Sequence, residues 1–397
     1  MKIAFLCSGL EQGRDGVGDY TRRLAAECIR QGHPCVIASL NDTQVSETVL
    51  GSQESEGTII SLLRLPSITS WNKRKILARN WLDAINPTWA SLQFVPFGFH
   101  RKGLCAGLGK RLADISPKSS WHIMFHELWL GLGQKSPVKH RFWGALQRRI
   151  IMDMLGHLRP QIVHTQTEPY REVLIKNGIQ TTMLPLFSNI RRANLDAWDN
   201  LLKPLIRQAG GKHQNRSDLY LAGIFGAVHP EWDAEQTVNT LFPLVQHFRK
   251  RLVLVFHGKN NLASQAFSKM KAKLQNRAEV VIAGERTEVE ISKILQTLDL
   301  GLATSPRQII QKSGSVAAML EHGLQVLVTR DDWRLRGSDA EIAEGSSQFL
   351  SPKQFAMLKS LPARNLQMPG DSSAERVAGQ LLAAMESHLT SNHYSQP

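Results

Sequence analysis

No stretch of this chain's 397 residues holds eighteen consecutive apolar side chains. That excludes a membrane-spanning helix. Cysteine is scarce: Cys7, Cys28, Cys35 and Cys105 are the four, and no two form a Cys-x-x-Cys pair. Such sparse, unpatterned thiols read as small buried side chains in a reduced protein. No cluster of His, Asp and Glu has metal-ligand spacing, so no metal site is expected. A first strand opening at Lys2 leaves no room for a signal peptide. The expected setting is the cytoplasm, with peripheral contact at the inner membrane face as an option. Acidic residues are also short, 34 against 48 lysines and arginines, for a net charge of +14.

Such a surplus suits nucleic acid, an anionic membrane face or phosphate-bearing substrates. Nucleic acid is not expected, because no basic surface interleaved with aromatics and no recognition motif is present. The segment "KHRFWGALQRRIIMDML" (139–155) sets basic and apolar residues at helical spacing. It fits first an ordinary surface helix with a solvated basic face, and second an anionic-lipid contact.

What the chain does have is alternation. Strand-length apolar runs and helical stretches follow one another throughout, as in doubly wound parallel sheets. Strands are expected at "KIAFLCS", "PCVIASL", "WASLQFV", "WHIMFHE", "QIVHTQ" and "TTMLPLF". The polar stretch "RQAGGKHQNRSD" (207–218) reads as a linker. A second series follows at "LYLAGIFGAV", "RLVLVFHG", "AEVVIAG", "LDLGLATS" and "LQVLVTR". At this length two α/β domains are expected. Their spans are 1–200 and 201–372, followed by a helix and tail at 373–397 that can pack back on the first domain. In such sheets ligands bind at the carboxyl ends of the strands, so a central cleft between the domains is where chemistry is expected.

The first loop, Ser8 to Asp15, precedes Gly16-Val17-Gly18 and an amphipathic helix. A dinucleotide fingerprint is a poor match: Thr21 stands at its third glycine and the loop is too long for a tight turn. Asp42, which ends the second strand, is where a ribose-binding acid would sit under that reading. Asp19 reads as the helix cap, with Tyr20, Leu24 and Cys28 on one face and Gly32 at the far end. Gly16 and Gly18 fit either a flexible turn or a close backbone approach to a ligand. In the second half, Lys312-Ser313-Gly314-Ser315 stands before a helix expected over Val316 to His322 and ended by Gly323. Free amides, two hydroxyls and a lysine there make an anion site, or a simple cap.

These segments resemble a glycosyltransferase of the two-Rossmann-domain GT-B type, near the retaining group that includes sucrose and mannosyl transferases. The resemblance rests on "GVGDYTRRLAAECIRQGHPCVIASL", "IMFHELW", "LPLFSNI", "FGAVHPEWDAE" and "AAMLEHGLQVLVT", in that order along the chain. It implies transfer of a sugar from a nucleotide-diphosphate sugar to a hydroxyl acceptor (a glycan, a lipid-linked or a small molecule) in polysaccharide or glycoconjugate biosynthesis. Retention of configuration, independence of metal and no permanently bound cofactor are implied too. The donor would be held mostly by the second domain, at Gly226, Ala227, His229, Arg307, Lys312, Ser313, Gly314 and Ser315. Gly284, Glu285 and Arg286 would border the base. Gly16, Val17 and Gly18 would close over the sugar, and the acceptor would lie on the first domain. His126 and Glu127 are the catalytic candidates; each also fits a plain strand-end or loop role. Relatives carry an arginine and a lysine after the second domain's first strand, where this chain has "GAVHPEWD". The positions of their paired glutamates hold Ile310 and Ala318, leaving Glu321 for the ribose. Two alternatives stay open: a catalytically silent protein of this fold, and a nucleotide-sugar epimerase.

Overall fold

The structure, a computed structural model, describes residues 1–193, 201–208, 215–259, 263–274, 276–338, 348–364 and 373–393. It divides into two compact units, Met1–Asn189 with Asp371–Pro397, and Ile190–Gly370. The joint expected near residue 200 lies outside the described residues, as do residues 209–214 of the linker.

Unit one runs β1 (Ile3–Cys7), α1 (Gly16–Arg30), β2 (Cys35–Asp42), β3 (Val49–Ser55), β4 (Thr58–Pro66), α2 (Trp71–Ile85) and β5 (Trp89–Phe94). It continues with α3 (Pro96–Phe99), α4 (Leu108–Ile115), β6 (Ser120–Phe125), α5 (Val138–Leu158), β7 (Ile162–Thr165), α6 (Glu168–Lys176) and β8 (Thr182–Met183). Unit two runs α7 (Lys203–Gln208), β9 (Leu219–Phe225), α8 (Ala234–His247), β10 (Arg251–His257), α9 (Ser264–Leu274), β11 (Ala278–Gly284) and α10 (Glu288–Thr297). It closes with β12 (Leu300–Ala303), α11 (Gly314–Glu321), β13 (Val326–Val328), β14 (Phe349–Leu350) and α12 (Pro352–Ala356). The last helix, α13 (Ser373–His393), returns to unit one.

Each unit is built on one sheet. The first has the order β3-β4-β2-β1-β5-β6-β7-β8 and the second β11-β10-β9-β12-β13-β14. All pairings are parallel except β3 with β4. Central strands are buried along nearly their whole length, which is why they read as continuous apolar runs. Strand order reverses between β1 and β5 in one sheet and between β9 and β12 in the other, so each sheet has one switch point.

Three elements depart from the sequence expectation. The β3–β4 hairpin was not anticipated: β3 is mostly exposed and carries no apolar alternation. Its turn is Glu56-Gly57, both at positive φ (51° and 79°), as a two-residue hairpin loop requires. "TTMLPLF" pairs only at Thr182 and Met183, since Pro185 has no N–H to give a ladder. Strand β14 lies beyond the last apolar run that was read.

Helix α13 completes the core of unit one. Ala374, Val377, Ala378, Leu381, Leu382 and Met385 recur at helical spacing and are buried against the α1 face formed by Leu24, Ala25 and Cys28. Gln31 Nε2 donates to Glu375 O at 3.0 Å, and the Trp89 and His388 rings meet edge-on at 5.7 Å. Leu381 is fully buried. Leu381→Ala is therefore expected to cost about 2–5 kcal/mol of stability. Met357→Ala, at an exposed site in unit two, should stay within about 0.5 kcal/mol. Urea denaturation of both variants measures the contrast.

Candidate functional site

In unit one the loop after β1 is held by carboxylates. Asp15, not Asp19, caps α1: its Oδ1 accepts from Val17 N and Gly18 N, each at 3.0 Å. Asp19 lies one turn further on and accepts from Gly13 N at 3.1 Å. The difference arises because the helix begins at Gly16, four residues earlier than an Asp19 cap would place it. Burial raises the Asp15 pKa, against the lowering effect of its two backbone bonds. Gly18 is a packing residue: a methyl there would stand 2.7 Å from Gly9 O. Gly16 is exposed and Val17 half-buried.

Asp42, the position a ribose-binding acid would take, is spent on structure. Its carboxylate accepts from Leu10 N (3.2 Å), Ser39 Oγ (2.9 Å), Arg64 Nε (2.8 Å) and Gln44 N (3.0 Å). Burial works to raise its pKa, but these bonds prevail and hold it below the ordinary value. At the switch point itself a methyl on Gly98 would lie 2.3 Å from Ser8 Oγ, and Asn41 Nδ2 donates to Gly98 O at 2.8 Å. The chain thus fills its own crevice between β1 and β5.

His126 follows β6 and is buried in a directed chain of hydrogen bonds. Gln166 Nε2 donates to His126 Nδ1 (2.9 Å), so the ring proton is on Nε2, which donates to Gln93 Oε1 (2.9 Å). Gln93 Nε2 donates to Ser91 Oγ (2.8 Å), Ser91 to His122 Nδ1 (2.7 Å), and His122 Nε2 to His164 Nδ1 (3.1 Å). Every link fits one set of tautomers. Both His126 nitrogens are spent, and burial pushes its pKa down to about 3. The sequence carried a signal for this chain: Ser91 and Gln93, His122 and His126, and His164 and Gln166 share strand parity, a polar stripe across β5, β6 and β7. Glu127 is half-buried beside it.

Unit two differs. A 3-10 turn, Arg307–Lys312, leads into α11, which starts at Gly314 rather than Val316. Ser313 is its cap, accepting from Val316 N at 3.4 Å. A neutral hydroxyl therefore covers one amide, and those of Gly314 and Ser315 have no intrahelical acceptor. Gly226, at φ 80°, ends β9 so close that a methyl on it would stand 3.1 Å from Ser315 Oγ. Thr304, after β12, donates to Ala227 O (3.4 Å) and accepts from His229 N (3.2 Å). The expected residues Gly226, Ala227, His229, Ser313, Gly314 and Ser315 thus gather where strand order reverses, with Lys312 on the adjoining turn. Arg307 joins them through its backbone N, which donates to Arg330 O at 2.9 Å; its Nη1 is buried without a hydrogen-bond partner.

The other expected residues lie apart from this group. Gly284 ends β11 two strands away and Glu285 is exposed. Arg286 is turned back, donating to Ala283 O at 2.8 Å and pairing with Glu290 at 3.5 Å. Glu321 is in the last turn of α11, roughly 9 Å along the helix from Ser315. Sequence reading missed Thr304 and Arg330, both on strand ends whose apolar runs were recognised. Among the described residues no three His, Cys, Asp or Glu side chains converge as a metal site. No described helix is long and apolar enough to cross a membrane.

No protein-family model and no curated protein matches the sequence. Solved structures match across nearly its whole length. WaaG, a glycosyltransferase involved in lipopolysaccharide biosynthesis, is 14% identical with a TM-score of 0.50, covering 99% of this chain and 95% of its own. Anabaena Alr3699/HepE in complex with UDP and glucose is 13% identical with a TM-score of 0.52, covering 99% and 100%. The UDP-GlcNAc 2-epimerase of Methanocaldococcus jannaschii is 12% identical with a TM-score of 0.50, covering 96% and 100%. At such identity the likeness concerns the fold, which is that of the GT-B structures.

The buried histidines make stability depend on pH. Burial holds His126 near 3 and His164 near 4, and with the help of His164 and His126 it pushes His122 well down. In the unfolded chain all three titrate near 6.5. Folding is then fully supported above pH 6.5 and loses up to about 1.4 kcal/mol per pH unit for each such histidine below it. Thermal midpoints should fall steadily from pH 7 to pH 4.5, and His164→Gln should flatten that slope.

Proposed function

We propose that the chain transfers a sugar from a nucleotide-diphosphate sugar to a hydroxyl acceptor. The observation that carries this reading is the gathering, at the switch point of the second sheet, of Gly226, the α11 start and Lys312. A helix start with two unanswered amides and an adjacent lysine suits an anion, and a bare glycine lets it approach. The fold shared with WaaG and HepE supports the reading, and the HepE complex with UDP and glucose supports the ligand class.

The roles follow from the chemistry. The departing diphosphate must be stabilised as negative charge develops on it, and that is work for preorganised amides and cations. Gly314 N, Ser315 N, the Ser315 hydroxyl, Lys312 and Arg307 fill that role. They also supply the charge a divalent cation would otherwise bring, so transfer is expected to persist in EDTA. The unit-one residues Gly16, Val17 and Gly18 serve the sugar side, and the acceptor rests on unit one. His126, lacking a spare nitrogen, shapes its surroundings, leaving Glu127 as the titratable candidate there. Retention of configuration belongs to the same reading.

A second reading is favoured by one observation, the equal likeness to the UDP-GlcNAc 2-epimerase. Epimerisation at C2 exchanges that proton with solvent, whereas transfer does not. Incubation with UDP-GlcNAc in D2O separates the two by deuterium at C2.

Membrane contact is proposed from α5. Its inner face, with Ile151, Met154 and Leu158, is buried, but Val138, Phe142 and Leu146 are 76%, 72% and 40% exposed. They stand four residues apart, beside exposed Lys139, Arg141, Arg148 and Arg149. Apolar anchors within a basic face suit an anionic bilayer.

Three measurements test these proposals. A nucleotide-sugar panel should raise the thermal midpoint with at least one donor, and no shift with any of them would count against the reading. Lys312→Ala should weaken nucleoside-diphosphate binding by about ten- to a hundredfold, since a charge-assisted hydrogen bond contributes roughly 1.5–3 kcal/mol. Lys110→Ala, in unit one, should leave it unchanged. Phe142→Ser should reduce binding to phosphatidylserine vesicles at low salt, where charge attraction is strongest; equal binding by variant and wild type removes α5 as the contact.

A further inference from the structure

Ala227 to Asp233, the loop after the first strand of the second unit, contains neither arginine nor lysine, where the resemblance drawn from the sequence implies two phosphate cations. The structure brings a cation to that loop from another strand. Arg330 follows β13 and is only 6% exposed. Its Nε and Nη2 bind Asp332 at 3.0 and 2.6 Å, and Nη1 donates to Thr304 O at 3.5 Å. Nη2 also pairs with Glu231, which belongs to the Ala227–Asp233 loop itself. His229 stands in the same electrostatic neighbourhood, lowered by burial and by the Arg330 charge.

The two counter-ions are unequal. Asp332 grips the guanidinium with two bonds and is two residues away in the chain. Glu231 makes one contact, and its side chain is 69% exposed against 44% for Asp332. An exposed carboxylate is well hydrated when it leaves, so such a pair is readily exchanged. With both carboxylates in place the cluster carries one net negative charge and repels phosphate. With Glu231 swung out, Arg330 keeps Asp332 as its anchor and Nη1 stays on Thr304 O, while Nη2 is left with a donor to offer at the Ala227–Asp233 loop.

We infer that Arg330 is the loop's phosphate cation and that Glu231 is its exchangeable counter-ion, displaced by the donor's diphosphate. This rests on the proposed donor site at Lys312–Ser315. Glu231 then acts as a competing internal anion, and removing its charge strengthens ligand binding.

Calorimetry of the full chain with inorganic pyrophosphate and with UDP tests this. Glu231→Gln should bind both roughly three- to tenfold more tightly than wild type, as expected for loss of one exposed competing charge. In the Arg330→Gln background, checked for folding by circular dichroism, the same change should give no gain. Should Arg330→Gln fail to fold, Asp332→Asn serves instead: it frees the other side of the guanidinium and should also tighten binding. Unchanged or weaker binding by Glu231→Gln, while Lys312→Ala still weakens it, overturns the Arg330 assignment and leaves the donor site standing. A fall in thermal midpoint of Glu231→Gln with no change in affinity also overturns it, marking the pair as a structural clamp. Failure of wild type and every variant to bind either probe at millimolar concentration removes the donor site, and this inference with it.

Discussion

A helix that follows a parallel strand begins with amides that no carbonyl of its own can reach, and what answers those amides decides what else can bind there. The helices that follow β1, β9 and β12 answer differently. After β1, the carboxylate of Asp15 takes Val17 N and Gly18 N. After β9, the carboxylate of Asp233 takes Glu235 N and Gln236 N. After β12, the neutral hydroxyl of Ser313 takes Val316 N alone. A negative cap cancels the positive pole of a helix and repels an arriving phosphate, whereas a hydroxyl leaves the pole in force. Of these three helix starts, α11 is therefore the one suited to an anion, and Lys312 adds a full charge to its partial one. The contrast supports the proposed assignment of the diphosphate to the α11 start, with no appeal to the glycine pattern that opens unit one; a hydroxyl cap does not decide it alone, since Thr167 caps α6 of unit one in the same way.

The first sheet spends its polarity inward. Placing Ser91, Gln93, His122, His126, His164 and Gln166 inside a sheet is costly unless each group finds a partner, and a partly satisfied network would be worse than an apolar core. The chain from Gln166 to His164 satisfies them in one direction, which fixes each tautomer along it. His126, the strand-end histidine that is a catalytic candidate from the sequence, has both ring nitrogens within this chain of hydrogen bonds. Its neighbour Tyr20 packs edge-on to it at 5.0 Å and stacks on Phe187 at 4.4 Å, so the first turn of α1 rests on the same buried group.

How much of this was legible depended on range. Parallel strands buried on both faces announce themselves as apolar runs, and eleven such runs were read; ten hold a strand of four residues or more or the short β13, while the run at Pro185 was overtaken by its proline. The β3–β4 hairpin was not legible, because an exposed edge strand carries little hydrophobic signal and its turn needs only Glu-Gly. The cap of α1 was misplaced by four residues because two aspartates flank the glycines and both are suited to capping. In unit two the glycines and hydroxyls of the α11 start were visible as a local motif. Arg330 was not, since its significance comes from Glu231, ninety-nine positions earlier, and only the strand order β9-β12-β13 brings the two together.

The choice between transfer and epimerisation turns on what the chemistry needs besides a diphosphate site. Moving a sugar to a hydroxyl asks mainly for stabilisation of the leaving group and for placement of the acceptor. Inverting a carbon next to the anomeric centre asks in addition for groups that take and return a proton near neutral pH. At the ends of unit one's central strands Glu127, half-buried after β6, is the candidate, and the other groups are already committed. His126 has both nitrogens engaged and a pKa near 3, Asp42 is saturated by four donors, and Asp15 has one oxygen bound to two amides. Such an edge is better suited to positioning a neutral hydroxyl than to cycling protons. The balance of the chemistry thus favours the transferase reading over the epimerase one.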